Sequence, residues 1–110
     1  MAGQPTTNSG ARLLPISMET MIWYVYIIIC SDNSLYTGIT TDPERRFRQH
    51  AAGNGAKYFR GRRPLGIVYL EPGHTRSSAG CREVRIKRMS HGDKAALVAG
   101  YGSRTKSRTA

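Results

Sequence analysis

The stretch from Trp23 to Thr40, WYVYIIICSDNSLYTGIT, decides how the chain folds. Trp23 to Cys30 is aromatic and β-branched, a composition that suits a pleated, partly buried surface. The polar run Ser31-Asp32-Asn33-Ser34 follows, and Leu35 to Thr40 then resumes strand character, which predicts a β-hairpin. Side chains alternate faces along a strand. Tyr26 and Tyr36 therefore share a face only if paired residues have positions of the same parity, which requires an odd number of loop residues. A three-residue loop, Asp32-Asn33-Ser34, pairing Cys30 with Tyr36, meets that condition.

Beyond the hairpin the chain turns helical. Asp42 is a good N-cap, Pro43 suits the first helical position because its missing N–H would be orphaned there, and Glu44 favours the positive end of the helix dipole. Gly53 and Gly55 stop this helix. Leu65 to Leu70 reads as a third strand, bracketed by Pro64 and by Pro72-Gly73. Ser77 or Ser78 can cap a helix running to about Met89, and Ser90 with Asp93 can cap a short terminal helix through Val98. The order β-β-α-β-α-α predicts an α+β fold, a small three-stranded antiparallel sheet flanked by helices.

Residues 1–21 are rich in Thr, Ser, Gly and Gln without hydrophobic period and read as a mobile N-terminal extension, with Met18 or Met21 as alternative starts. Residues 22–98 form the folded domain, and residues 99–110, which include Arg104, Lys106 and Arg108, read as a loose basic tail. A chain of 110 residues has room for one domain with a modest core. Its 17 Lys and Arg against 7 Asp and Glu give a net charge of +10, and residues 22–98 alone hold 13 against 6. The charge therefore belongs mainly to the domain, and its natural partner is a polyanion.

Nucleic acid is a better partner than a membrane. The longest apolar run, Ile22 to Cys30, is too short to span a bilayer and lacks the pattern of a basic amphipathic helix. No basic segment followed by an apolar core marks a secretory signal, so the expected location is the cytoplasm. Cys30 and Cys81 form no CxxC, and with His50, His74 and His91 they give no zinc spacing, so both read as reduced packing residues.

Five polar residues invite a mechanism: Tyr26, Tyr36, Arg46, His50 and Glu83. Arg46 and His50 lie four apart and share one helix face. Glu83 lies on the same predicted helix face as Ala79 and Ile86, an awkward place for a carboxylate that only aids solubility. The segment Lys57-Tyr58-Phe59-Arg60-Gly61-Arg62-Arg63 sets four cations around two aromatics. Cations neutralise phosphates and rings stack on unpaired bases, so Lys57, Tyr58, Arg60, Arg62 and Arg63 are candidate nucleic-acid contacts. The plainer reading of that segment is a charged loop with Phe59 anchored in the core.

The segment Tyr24-Val25-Tyr26, then Leu35-Tyr36-Thr37-Gly38, then Arg46, and finally Glu83 in Ala79-Gly80-Cys81-Arg82-Glu83 resembles the GIY-YIG nuclease superfamily, in particular its small stand-alone bacterial YhbQ-like branch. The likeness extends over about residues 22–98, and its specific part is spacing, ten residues from Tyr26 to Tyr36 and ten more to Arg46. It implies a metal-dependent endonuclease acting on DNA, or RNA, in repair or processing of branched, damaged or single-stranded substrates. By the same resemblance Glu83 binds a single divalent cation, Mg²⁺ or Mn²⁺, and Tyr26 or Tyr36 is the base that activates water. Arg46 then clamps the phosphate, His50 relays a proton, and Gly38 lets backbone and phosphate approach closely.

The chain departs from the family pattern at Tyr24 and Val25, at Ile39 where some relatives have lysine, and in lacking the asparagine that several carry after the glutamate. The alternative is a non-catalytic nucleic-acid-binding module that retains the fold.

Overall fold

The computed structural model describes residues 22–109, with side chains through Ser103. The elements are β1 (Trp23–Cys30), β2 (Leu35–Thr40), α1 (Pro43–Ala51), a 3-10 turn (Lys57–Phe59), β3 (Pro64–His74), α2 (Arg76–Lys87) and α3 (His91–Thr109). The three strands form one antiparallel sheet in the order β2-β1-β3. The expected α+β order is thus observed, and the expected extension over residues 1–21 lies outside the described residues.

The central place of β1 explains its unbroken apolar run. Val25 and Ile27 pack on one face with Tyr69, Ala79 and Ile86, under α2 and α3. Tyr26, Ile28 and Cys30 pack on the other with Phe47 of α1, Tyr58 and Phe59. A strand covered on both sides has no polar face, so strict alternation disappears.

The hairpin meets the parity condition but in a different register. Tyr26 pairs with Gly38, and Tyr36 pairs with Ile28 rather than with Cys30. The three-residue loop is Ser31-Asp32-Asn33: Cys30 N–H donates to the Ser34 carbonyl at 3.0 Å, and Asn33 N–H donates to the Cys30 carbonyl at 2.8 Å. Two local features draw Ser34 into the ladder. Asn33 takes φ 71°, which asparagine tolerates well, and the Asp32 carboxylate accepts from Ser34 N–H at 3.1 Å and from Ser34 Oγ at 2.6 Å.

Strand β3 is longer than Leu65 to Leu70. As an edge strand it tolerates Pro72, whose missing N–H costs no ladder bond on the open side, and Gly73 at φ 85° lets the strand continue to His74. Helix α1 begins as expected, with the Asp42 side chain accepting from Arg45 N–H at 3.1 Å and Pro43 in the first turn. Helix α2 is capped by Thr75, not by Ser77 or Ser78. Thr75 Oγ1 accepts from Ser78 N–H, and Ser78 Oγ accepts from Thr75 N–H, both at 3.0 Å. Ser78 is thus the reciprocal partner in the capping box rather than the cap.

Helix α3 starts at the expected cap, with Ser90 Oγ accepting from Asp93 N–H at 3.0 Å, but it does not end near Val98. Leu97, Val98 and Tyr101 lie at helical spacing and all pack against the core, and the Tyr101 ring sits 5.4 Å from that of Tyr69. The boundary expected at residue 98 therefore falls inside a packed helix. No helix among the described residues is long and apolar enough to cross a membrane.

An ion cluster joins α2 to β3. Glu71 pairs with Arg82 at 3.2 Å and with His74 at 2.6 Å, and it accepts from the Tyr69 hydroxyl. The fully buried Ala79 and Ile86 seat α2 on the sheet, and the Arg82–Glu71 pair agrees with that rotation.

Candidate active site

The register places Tyr26 and Tyr36 diagonally on one face of the hairpin, with ring centroids 6.3 Å apart. A glycine is required opposite Tyr26. A Cβ built at position 38 would lie 2.6 Å from Tyr26 Cζ, so the ring occupies the space that any side chain there would need. Gly38 is itself buried. Its expected role as an approach for phosphate is therefore replaced by a packing role, because the room is already filled by Tyr26.

Helix α1 brings Arg46 and His50 to the same place. His50 is 2% exposed, and its Nε2 lies 3.0 Å from the Tyr26 hydroxyl. Its Nδ1 accepts from the Ala56 N–H at 3.2 Å. A backbone amide can only donate, so Nδ1 carries the lone pair, Nε2 carries the proton, and His50 donates to Tyr26. The loop after α1 folds tightly over the ring. A Cβ at Gly55 would come within 2.8 Å of His50 Cε1, so that glycine serves close packing, while α1 itself ends at Ala51, before Gly53 at φ 84°.

Burial, with the Arg46 guanidinium adding to it, holds His50 down to about 4. A neutral ring with both nitrogens committed is a positioning group. The proton relay expected of His50 has no free nitrogen to run through. Burial first, and then the charge of Tyr36, push the Tyr26 phenol up to about 12 against a hydrogen bond from Arg46 and its positive charge, which oppose the rise. Tyr26 and His50 thus form the buried floor, and half-buried Tyr36 and Arg46 form the rim. Arg46 Nη1 also donates to Gln49 Oε1 at 2.9 Å, which aims the guanidinium along the helix.

Aromatic residues from the 3-10 turn wall the site. Phe59 lies 4.4 Å from His50 and 4.9 Å from Tyr36, and Tyr58 lies 5.0 Å from Tyr36. Phe59 is anchored in the core, the plainer of the two readings of its segment. Tyr58 is not an open stacking platform, since the Arg62 guanidinium lies 4.1 Å over its ring. Arg62 is itself committed, with Nε 2.8 Å from Asp32 and Nη1 donating to the Tyr58 carbonyl at 3.0 Å. Lys57, Arg60 and Arg63 of that segment are exposed.

Helix α2 supplies the carboxylate. Glu83 is half-buried and reaches the edge of the tyrosine pair through its ion-pair partner Lys87. Its Oε2 is 3.0 Å from Lys87 Nζ, and that ammonium lies 5.9 Å from the centroid of the Tyr36 ring. Lys87 is a neighbour absent from the sequence candidates, although the spacing of four from Glu83 on a helix signals it.

Among the described residues no group of three His, Cys, Asp or Glu could hold a metal ion. A calcium cage or a zinc site is therefore not built here. One carboxylate beside phenolic oxygens does fit Mg²⁺, which keeps several waters and is commonly held by one or two carboxylates plus phosphate oxygens. Glu83 would be its protein ligand.

A model of the GIY-YIG catalytic domain matches residues 22–94. The UPF0213 protein of Haloquadratum walsbyi is 57% identical over 75 residues, covering 68% of this chain and 84% of that protein. The UPF0213 protein YhbQ of Escherichia coli is 48% identical over 77 residues, covering 70% of this chain and 77% of that one. A protein of E. faecalis solved by solution NMR is 36% identical with a TM-score of 0.52, covering 74% of this chain and 86% of its own. The chain belongs to the GIY-YIG domain family.

Proposed function

We propose that this GIY-YIG domain is a metal-dependent endonuclease that hydrolyses phosphodiester bonds in DNA, or in RNA, with branched, damaged or single-stranded molecules as its substrates. The observation that carries the proposal is the convergence of Tyr26, Tyr36, Arg46 and His50 in one aromatic-walled site, with the Glu83 carboxylate beside it.

Each group has a task in hydrolysis. Arg46 offers a planar fork of donors to the phosphate oxygens, where negative charge grows as water attacks. The tyrosine pair supplies the base, one hydroxyl taking the proton of the attacking water and the other orienting water or phosphate. His50 Nε2–H donates to the Tyr26 oxygen and favours its phenolate. That help is needed, because burial, with the charges around it, leaves the phenol at about 12. A divalent cation on Glu83, when bound, would act as a Lewis acid toward the phosphate. The exposed cations Lys57, Arg60 and Arg63 hold the polymer as a whole.

The test is cleavage of labelled single-stranded, duplex and branched substrates with Mg²⁺, with Mn²⁺ and with chelator. The wild type should cut only with metal. Glu83→Gln keeps the shape and loses the charge, so cleavage should fall by about 10²-fold or more while nucleic-acid binding survives. Firm binding by the wild type without cleavage under any of these conditions would favour a non-catalytic binding module instead.

A further inference from the structure

Lys87 stands where a metal ion at Glu83 would have to compete. Its ammonium is 3.0 Å from Glu83 Oε2, with the Glu83 side chain only 22% exposed. The same ammonium lies 5.9 Å from the centre of the Tyr36 ring, so the pair borders the site, although the Lys87 side chain is itself 49% exposed. The neighbouring Arg82 offers Glu83 no second cation, because its guanidinium is committed to Glu71. A monovalent and a divalent cation cannot both occupy one carboxylate without strong mutual repulsion.

We infer that Lys87 is a resident counter-cation at the metal position: it neutralises Glu83 in the metal-free protein and must leave before a divalent cation binds. This rests on the reading of Glu83 as the metal ligand. Its flexible four-carbon stem lets the ammonium swing away without moving α2. An incoming phosphate is the natural new partner for the displaced charge. The bare protein therefore holds metal weakly, and nucleic acid and metal enter together.

An ordinary solvent-exposed pair at this helical spacing would shift a binding equilibrium by only about twofold. A resident counter-cation shifts it more, since both the carboxylate and the repulsion are at stake. Mn²⁺ titration of the full chain, read from the free-ion paramagnetic resonance signal, separates the two.

Lys87→Met keeps the apolar stem and loses the charge, so it should tighten Mn²⁺ binding by about tenfold, or about 1.4 kcal/mol. Lys87→Arg should stay near the wild type, and Glu83→Gln should remove the site in either background. Circular dichroism melts confirm that each variant is folded. If Glu83→Gln abolishes binding but Lys87→Met leaves it within twofold of the wild type, Lys87 is a plain helix-surface partner and the inference falls alone. If Glu83→Gln leaves Mn²⁺ binding intact, the metal-ligand reading falls and takes the inference with it.

Discussion

Tyr26 and Gly38 face one another across the hairpin, and the tyrosine ring lies in the volume that a side chain at position 38 would fill. The glycine therefore serves the proposed catalytic face indirectly, by letting a buried phenol reach His50. Each half of the hairpin is incomplete without the other.

Gly38→Ala should push the Tyr26 ring off His50. Overpacking of this kind costs about 1–3 kcal/mol, readable as a lowered thermal midpoint. Cleavage should drop sharply while nucleic-acid affinity holds. Loss of affinity with an unchanged midpoint would instead return Gly38 to the role of a phosphate contact.

His50 makes stability depend on pH with a definite sign. The ring takes a proton near 6.5 when unfolded but only near 4 when folded. Its contribution is thus fully present above 6.5 and is lost as pH falls through about 4. The loss approaches about 1.4 kcal/mol per pH unit at most. Denaturant melts across this window should show the wild type converging on His50→Gln, which is less stable near neutrality because it loses the links to Tyr26 and Ala56. Parallel curves for the two proteins would contradict the buried neutral ring.

Two truncations separate the packed and electrostatic parts of α3. Ending the chain after Val98 removes Tyr101 from the Tyr69 ring and should cost about 1–3 kcal/mol. Ending it after Ser103 keeps the two rings together and removes only Arg104, Lys106 and Arg108 among the cations. Stability should then be unchanged, while the salt dependence of nucleic-acid binding flattens by up to about 0.9 in slope for each phosphate that is no longer neutralised. Equal destabilisation by both truncations would move the structural limit of the helix beyond Ser103.

Much of this was legible in one dimension because it depends on local rules. β-branched and aromatic runs make strands, Asp42-Pro43 starts a helix, and fixed intervals carry Tyr26, Tyr36 and Arg46 into register with a known family pattern. The parity of the hairpin was also legible, since side-chain alternation leaves only two choices. The actual pairing was not. It was decided by Asn33 in a left-handed turn and by Asp32 holding Ser34, a competition between loops of equal parity. The cap of α2 moved to Thr75 for a similar reason, because two hydroxyls satisfied each other reciprocally.

By itself the sequence determined the order of elements, the basic character of the domain and the residue types available for phosphodiester chemistry. Only the tertiary structure decided what each of those residues touches. His50 became a neutral donor because it is buried and the loop after α1 brings the Ala56 amide back onto its Nδ1, and Gly38 became a seat for Tyr26 because the strands align there. Lys87 came beside Tyr36 because α2 packs on the sheet through the buried Ala79 and Ile86. Local periodicity sets the face on which a side chain stands. Strand register and helix rotation, which depend on packing between distant segments, set the atoms that it meets.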